Sequence, residues 1–189
     1  MPYSLDDLAE IMKVLGDAGV KAVIIGSTVV QLELRKKQLE EDIDLFVEEP
    51  SPFIEEEFYR RLASEHGWGV GQTWVGTPSL IARRGGEDIV VELYENIYDF
   101  YVPPELLERA PKKNIRGVPV RVLRLEDYAL LKAKAGRDED MEDLEELAML
   151  VKSGRLRFDR RLVRESIQYF PEEDQKLMEK RLKKVGLIE

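Results

Sequence analysis

Two aspartates one residue apart lie in the segment Glu41-Asp42-Ile43-Asp44-Leu45-Phe46-Val47. Side chains alternate across a β-strand, so Asp42 and Asp44 fall on one face and Ile43, Leu45 and Val47 on the other. Neighbouring carboxylates repel unless a positive charge lies between them. A divalent cation meets that need, and magnesium commonly takes one or two carboxylates together with substrate phosphates. Two aspartates on a solvent-facing strand edge give the same pattern without chemistry. A third acid, Glu92, stands inside Asp88-Ile89-Val90-Val91-Glu92-Leu93-Tyr94, which is apolar on both faces apart from its acids and reads as a central strand, with Asp88 at its exposed start beside Gly85-Gly86. An ionised carboxylate buried there alone is expensive. A shared metal would remove the penalty, and so would an ion pair with Arg83 or Arg121. A third piece is Val23-Ile24-Ile25-Gly26-Ser27-Thr28, a buried strand ending at a Gly-Ser turn into a helix. Glycine permits close backbone approach, Ser27 offers a hydroxyl and an N-cap, and free amides at a helix start suit phosphate.

The elements that must position these residues follow from hydrophobic spacing. Ser4 and Asp7 cap a helix carrying Leu5, Leu8, Ile11, Met12 and Leu15. Lys21–Ile25 is a strand, Thr28–Lys37 a helix, Asp42–Val47 a strand and Phe53–His66 an amphipathic helix. A strand pair is expected at Gln72–Trp74 and Ser79–Arg83, then a turn at Gly85-Gly86 and a strand at Ile89–Tyr94. Pro103 and Pro104 open a short helix, and Val118–Val122 is a further strand. After it the chain reads helical, over Leu125–Ala135, Asp138–Lys152, Arg160–Tyr169 and Glu172–Val185. The expected fold class is α/β (α+β) with a mixed sheet. The expected organisation is an α/β core over 1–123 and a helical C-terminal subdomain over 124–189.

Composition narrows the chemistry. The chain has 189 residues, no cysteine and one histidine, His66. Disulfides, thiolate zinc sites and cysteine nucleophiles are excluded, and Ser-His-Asp hydrolysis is disfavoured. No apolar run approaches a membrane span and no basic leader precedes an apolar core, so a cytoplasmic protein without a membrane partner is expected. Abundant Lys, Arg and Glu fit a thermophile. The net charge is −9 but uneven. Residues 151–189 carry 11 Lys/Arg against 7 Asp/Glu, and residues 1–150 carry 18 against 31. The basic end, with Arg155, Arg157, Arg160, Arg161 and Arg164, reads either as a solvated helical tail or as an approach for an anionic acceptor such as RNA.

Gly26-Ser27, Asp42/Asp44 and Glu92 together resemble the DNA-polymerase-β-like nucleotidyltransferase superfamily. Its pattern is a strand, a Gly-Ser or Gly-Gly turn into a helix, D-x-D on the next strand and a third acid on a later one. The run from Val118 to Lys132, followed by Arg137, Asp140 and Asp143, is similar to the small prokaryotic nucleotidyltransferase-like proteins of the AbiEii toxin type. Those carry a lysine on the helix after the last strand and an Arg-x-x-Asp-x-x-Asp stretch opening the next helix. The likeness covers residues 20–150. This chain departs from the pattern in Val29-Val30 after the turn, Glu139 before Asp140 and Glu92 where aspartate is commoner.

The resemblance implies a nucleotidyltransferase core that moves an NMP from an NTP to a hydroxyl of a small molecule, RNA or protein. It implies Asp42, Asp44 and Glu92 as catalytic acids and ligands of Mg2+ in a two-metal site. It implies Gly26, Ser27 and Lys132 as nucleotide-binding residues, with Lys132 a point charge for the triphosphate. Arg137, Asp140 and Asp143 read as an ion-pair network joining two helices. Trp68, Trp74 and Tyr94 either stack on a base or pack against the sheet. The alternative is a catalytically inactive nucleotidyltransferase-fold binding module or a toxin–antitoxin component. Acceptor, base preference and oligomeric state are left open.

Overall fold

The computed structural model describes residues 2–189. The chain divides into two compact units, Met1–Val102 with Ala110–Val122, and Pro103–Arg109 with Leu123–Glu189.

The first unit begins with β1 (Tyr3–Ser4) and α1 (Leu5–Asp17). The Ser4 hydroxyl accepts from Asp7 N at 3.1 Å and the Ser4 amide donates to Asp7 Oδ2 at 2.8 Å, a reciprocal cap. Leu8, Ile11, Met12 and Leu15 are buried along one face of α1. β2 (Lys21–Ile24), α2 (Thr28–Glu33), β3 (Gln38–Leu39), β4 (Ile43–Glu49) and α3 (Glu56–Glu65) follow. Next come β5 (Gly69–Gln72), β6 (Pro78–Arg84) and β7 (Glu87–Tyr94). After α4 (Pro104–Glu108), which belongs to the second unit, β8 (Lys112–Ile115) and β9 (Val118–Val122) complete the first.

Seven strands form one mixed sheet in the order β5-β6-β7-β4-β2-β9-β8, and β1 pairs with β3 apart from it. β4 runs parallel to β7 and β2 parallel to β9, while the other pairings are antiparallel. Ile43, Leu45, Val47, Val91, Leu93, Leu80 and Ala82 alternate onto one fully buried face. Asp44, Val90, Glu92 and Ile81 alternate onto the other, where they stay half-buried. α3 packs on β5 and β6, and α1 on β8 and β9. β6 and β7 are joined by Gly85-Gly86, both at positive φ (56° and 89°), as a two-residue hairpin turn requires.

The expected mixed α/β fold with a helical C-terminal part is the observed one. Several elements differ from the expectation. The helix expected to reach Lys37 stops at Glu33, because Arg35 takes a left-handed φ of 54°. The strand expected at Gln72–Trp74 lies earlier, at Gly69–Gln72, and leaves Trp74 in the turn. The charged strand β8 was not expected at all; it lies at the sheet edge, where lysines are commonly found.

The second unit holds α4 and four further helices, α5 (Leu125–Ala135), α6 (Asp138–Lys152), α7 (Arg160–Ile167) and α8 (Glu172–Val185). α5 is its hub, packing against α6, α7 and α8. Gly136 ends α5 at φ 60°, and Arg181 from α8 lies against it, donating to Ala133 O at 2.7 Å and Lys134 O at 3.0 Å. A guanidinium there satisfies carbonyls left over at the helix end.

Candidate active site

Asp44 sits on β4, Asp42 one residue before that strand, and Glu92 on β7. The parallel β4–β7 ladder pairs Asp44 directly with Glu92. On the other side, β6 sets Ser79 opposite the same Glu92, and β5 sets Gly71 opposite Ser79. Directly paired residues share a face, so Ser79, Glu92 and Asp44 make a polar row across three strands.

Glycine stands at both ends of the row. A Cβ on Gly26 would lie 1.9 Å from Asp44 Oδ2, and one on Gly71 would lie 2.8 Å from Ser79 Oγ. The turn after β2 therefore closes against the Asp44 carboxylate only because residue 26 has no side chain. The adjacent Ile25 amide donates to Asp44 O at 3.0 Å. The approach to β4 is fixed by buried Gln31 on α2. Its amide donates to Glu40 O and its carbonyl accepts from Glu40 N, both at 2.8 Å. Glu41 then takes a left-handed φ of 68° and delivers the chain to Asp42.

Asp42 and Glu92 meet here as like charges. Partial desolvation pushes the Asp42 carboxyl above its ordinary value, and the negative charge of Glu92 pushes it the same way. The two arginines that sequence offered to Glu92 are ion-paired elsewhere. Arg83 Nε donates to Asp88 Oδ1 at 2.9 Å, and Arg121 Nη1 to Glu48 Oε2 at 2.5 Å. Glu92 instead accepts from the hydroxyl of Tyr94, two residues on and on the same face. Burial, together with that bond, holds the Tyr94 phenol far above its usual range. Burial also pushes the Tyr3 phenol up to about 12, with the charges of Asp44 and Asp42 adding to it and a contact to the Thr28 hydroxyl opposing it. Tyr3 and Thr28 oxygens are 3.4 Å apart.

Among the described residues, no three His, Asp or Glu side chains form a ready-made metal cage. Magnesium seldom uses one; it binds through one or two carboxylates and completes its shell with water and phosphate oxygens. The oxygen-only pair Asp44 and Glu92, in register on adjacent strands, fits that mode.

The structure brings Asp42, Asp44, Glu92 and Gly26 together with Tyr94, which the sequence offered only as a stacking or packing residue, and with Tyr3, Ser79 and Gly71, which it did not single out. The period-two spacing of Glu92 and Tyr94 was a usable signal, whereas Ser79 depends on hairpin register and Tyr3 on a two-residue strand. Ser27 stands at the start of α2, but its side chain makes no capping bond, contrary to expectation. Its backbone is already helical (φ −57°, ψ −25°), so its hydroxyl points away from the first amides and accepts from Gln31 Nε2 at 3.4 Å. Trp68 is buried beside His66, whereas Trp74 is 64% exposed.

Lys132 lies on α5, in the second unit. Its ammonium bonds Asp140 Oδ1 at 3.1 Å and Asp143 Oδ2 at 2.7 Å. Arg137 Nε donates to the same Asp140 at 2.8 Å, and the Arg137 amide does so at 3.1 Å. Of the basic tail, Arg161 pairs with Asp159 at 3.0 Å, and Arg160 Nε donates to Leu187 O at 3.1 Å. No described helix is long and apolar enough to cross a membrane.

Residues 4–184 match the model of a family described as "Nucleotidyl transferase of unknown function (DUF2204)". Among curated proteins none matches significantly in sequence. In fold the chain is similar to an antigenic nucleotidyltransferase-like protein from Paracoccidioides brasiliensis. That likeness has a TM-score of 0.60 and 16% identity, covering 98% of this chain and 89% of the other. A looser likeness, TM-score 0.48 at 15% identity over 96% and 88%, is to the antibiotic-resistance factor ANT(2'')-Ia.

Proposed function

Because the chain belongs to this nucleotidyl transferase family, we propose that it transfers an NMP from an NTP to a hydroxyl acceptor with divalent metal. The observation that carries this reading is the in-register pair of Asp44 and Glu92, with Gly26 closed against the Asp44 carboxylate.

In this reading Asp42, Asp44 and Glu92 hold magnesium in a two-metal arrangement. Bound there, the ions supply charge neutralisation for the triphosphate and acidify the attacking hydroxyl. The chain's own residues do the placing. The β4–β7 ladder fixes the spacing of Asp44 and Glu92. Tyr94 orients Glu92 through its hydroxyl. Gly26 lets the turn after β2 close on the Asp44 carboxylate, and Ser27 at that turn offers a phosphate a hydroxyl. The acceptor is a small molecule, RNA or protein hydroxyl.

The test is to add each NTP with Mg2+ and to measure both melting temperature and pyrophosphate release against a panel of hydroxyl acceptors. A rise in melting temperature that disappears in Asp42→Asn/Asp44→Asn, with pyrophosphate release from the wild type, is the expected result. NTP binding without release from any acceptor would favour a non-catalytic binding module of the same fold. A double mutant that responds like wild type would remove the metal assignment.

A further inference from the structure

Trp74 is a large aromatic residue at an unusual address. It occupies the turn between β5 and β6, one flank of the acidic row, and is 64% exposed. Its neighbours in the chain are not exposed. Thr73 and Val75 are buried, so the turn is pinned on both sides of the indole. The turn closes on itself through Thr73 N to Thr77 O at 2.8 Å, Gly76 N to Thr73 O at 3.0 Å and a 2.7 Å bond between the two threonine hydroxyls. The indole is tethered as well. The Tyr94 phenol feels it as a hydrogen-bond donor. That hydroxyl in turn donates to Glu92. Tyr94 is stacked on Phe100, with ring centroids 4.7 Å apart and an interplanar angle of 20°, so the middle of the chain is itself held in place.

A rigid turn and an indole that is 64% exposed together describe a shelf rather than a loose surface side chain. Most of the ring surface faces outward, where something flat can lie. The chain Trp74–Tyr94–Glu92 places that shelf two hydrogen bonds from the acidic row. An indole stacks on a heteroaromatic ring whichever base it carries, because every base has a π-face.

We propose that Trp74 is a substrate-recognition residue, its exposed indole stacking on the base of the nucleotide whose phosphates lie at Asp44 and Glu92. This rests on the nucleotidyl-transfer reading above. Selection among bases falls to other groups. Trp74 sets the demand for a base as such, separating a nucleoside triphosphate from a bare polyphosphate.

Trp68→Phe leaves Trp74 as the sole tryptophan and makes its fluorescence specific. Titrating this variant with ATP and Mg2+ should quench Trp74, while tripolyphosphate with Mg2+ should bind without quenching. By calorimetry in the otherwise native chain, Trp74→Ala should bind ATP about five- to a hundredfold more weakly and tripolyphosphate as before. Trp74→Phe, which keeps a stacking ring and loses the N–H, should recover most of the ATP affinity. Equal ATP affinity in Trp74→Ala and wild type would overturn the shelf while leaving the nucleotidyl-transfer reading intact. Equal losses for ATP and tripolyphosphate would also overturn it, showing that the residue supports the turn only. If neither compound binds the wild type, the underlying reading fails and takes the shelf with it.

Discussion

Acids gather in both units of the chain, and the two units treat them in opposite ways. In the second, each buried aspartate has a cation of its own. Asp140, 1% exposed at its side chain, is held by Arg137 and Lys132. Asp127, equally buried, takes Arg109 Nη2 at 2.7 Å. The same guanidinium donates to Ser166 and lies 5.5 Å over the Tyr169 ring, tying α4, α5 and α7 together. In the first unit, Asp44 faces Glu92, and Asp42 feels the same Glu92 as a like charge. The bonds found at Glu92 come from a phenol, not from an ammonium or guanidinium. Burial pushes the Asp140 carboxyl up, but the Arg137 and Lys132 contacts outweigh it and hold it below the usual range. Asp42 is held above that range. Acids that serve the fold arrive with their cations; Asp42 and Glu92 meet as like charges, an arrangement suited to a cation from outside.

The contrast breaks most severely at Arg109. Arg109→Ala leaves Asp127 buried and uncompensated, which costs about 3–5 kcal/mol. Urea unfolding should show this loss, and Arg109→Met/Asp127→Leu should recover most of it. A loss below about 1 kcal/mol would place this pair among weak surface bridges.

Next in size is Gly26→Ala. The new Cβ would meet Asp44 Oδ2, Cγ and Cβ, all within 2.7 Å, so more than a side-chain tip must move. Overpacking of this kind costs about 1–3 kcal/mol. The variant should melt lower and also lose its response to NTP with Mg2+. A variant that responds fully would show that Asp44 can leave its place without consequence.

Tyr94→Phe removes the donor to Glu92 with little change of shape. It should cost about 1 kcal/mol and weaken Mg2+-dependent NTP stabilisation more than stability itself. Parallel melting curves with and without ligand separate the two effects.

The smallest effect tests the sign of the contrast. Asp140 has a depressed carboxyl, so its contribution is present above the unfolded aspartate range and is lost as pH falls through its folded value. Asp42 has a raised carboxyl, so its protonated form favours folding and that contribution is lost as pH rises through its folded value. From pH 3 to pH 7 without ligand, wild type should therefore gain on Asp140→Asn and lose slightly to Asp42→Asn. Melting differences of the same sign for both variants would contradict the comparison.

How much of this was legible in sequence depended on the range of the interaction. The alternation around Asp42 and Asp44 and the spacing of α1 are local, and both were readable. Glycines at 69 and 71 concealed β5, since they disfavour a strand in isolation. They are needed because Ile81 and the Ser79 hydroxyl press against them. The Lys-Lys-Asn run of β8 has no apolar alternation, because an edge strand need not bury both faces. At the site, the D-x-D pattern identified two acids, but nothing local ties Glu92 to Asp44 or Ser79. Those partners are chosen by ladder register. The Arg109–Asp127 pair joins separate helices and leaves no local trace.

The Gly85-Gly86 turn acts as a length standard for the site. It pairs Arg84 with Glu87, and counting outward along the two strands brings Ser79 to Glu92. A strand shifted by one residue presents its opposite set of side chains. One residue added between β6 and β7 would thus either bulge out locally or bring Pro78 or Leu80 opposite Glu92. A two-residue change could keep the faces but would still move the serine off the acid. Insertions should therefore be tolerated poorly at this exposed turn, although its position on the surface would otherwise mark it as the easiest place in the chain to lengthen.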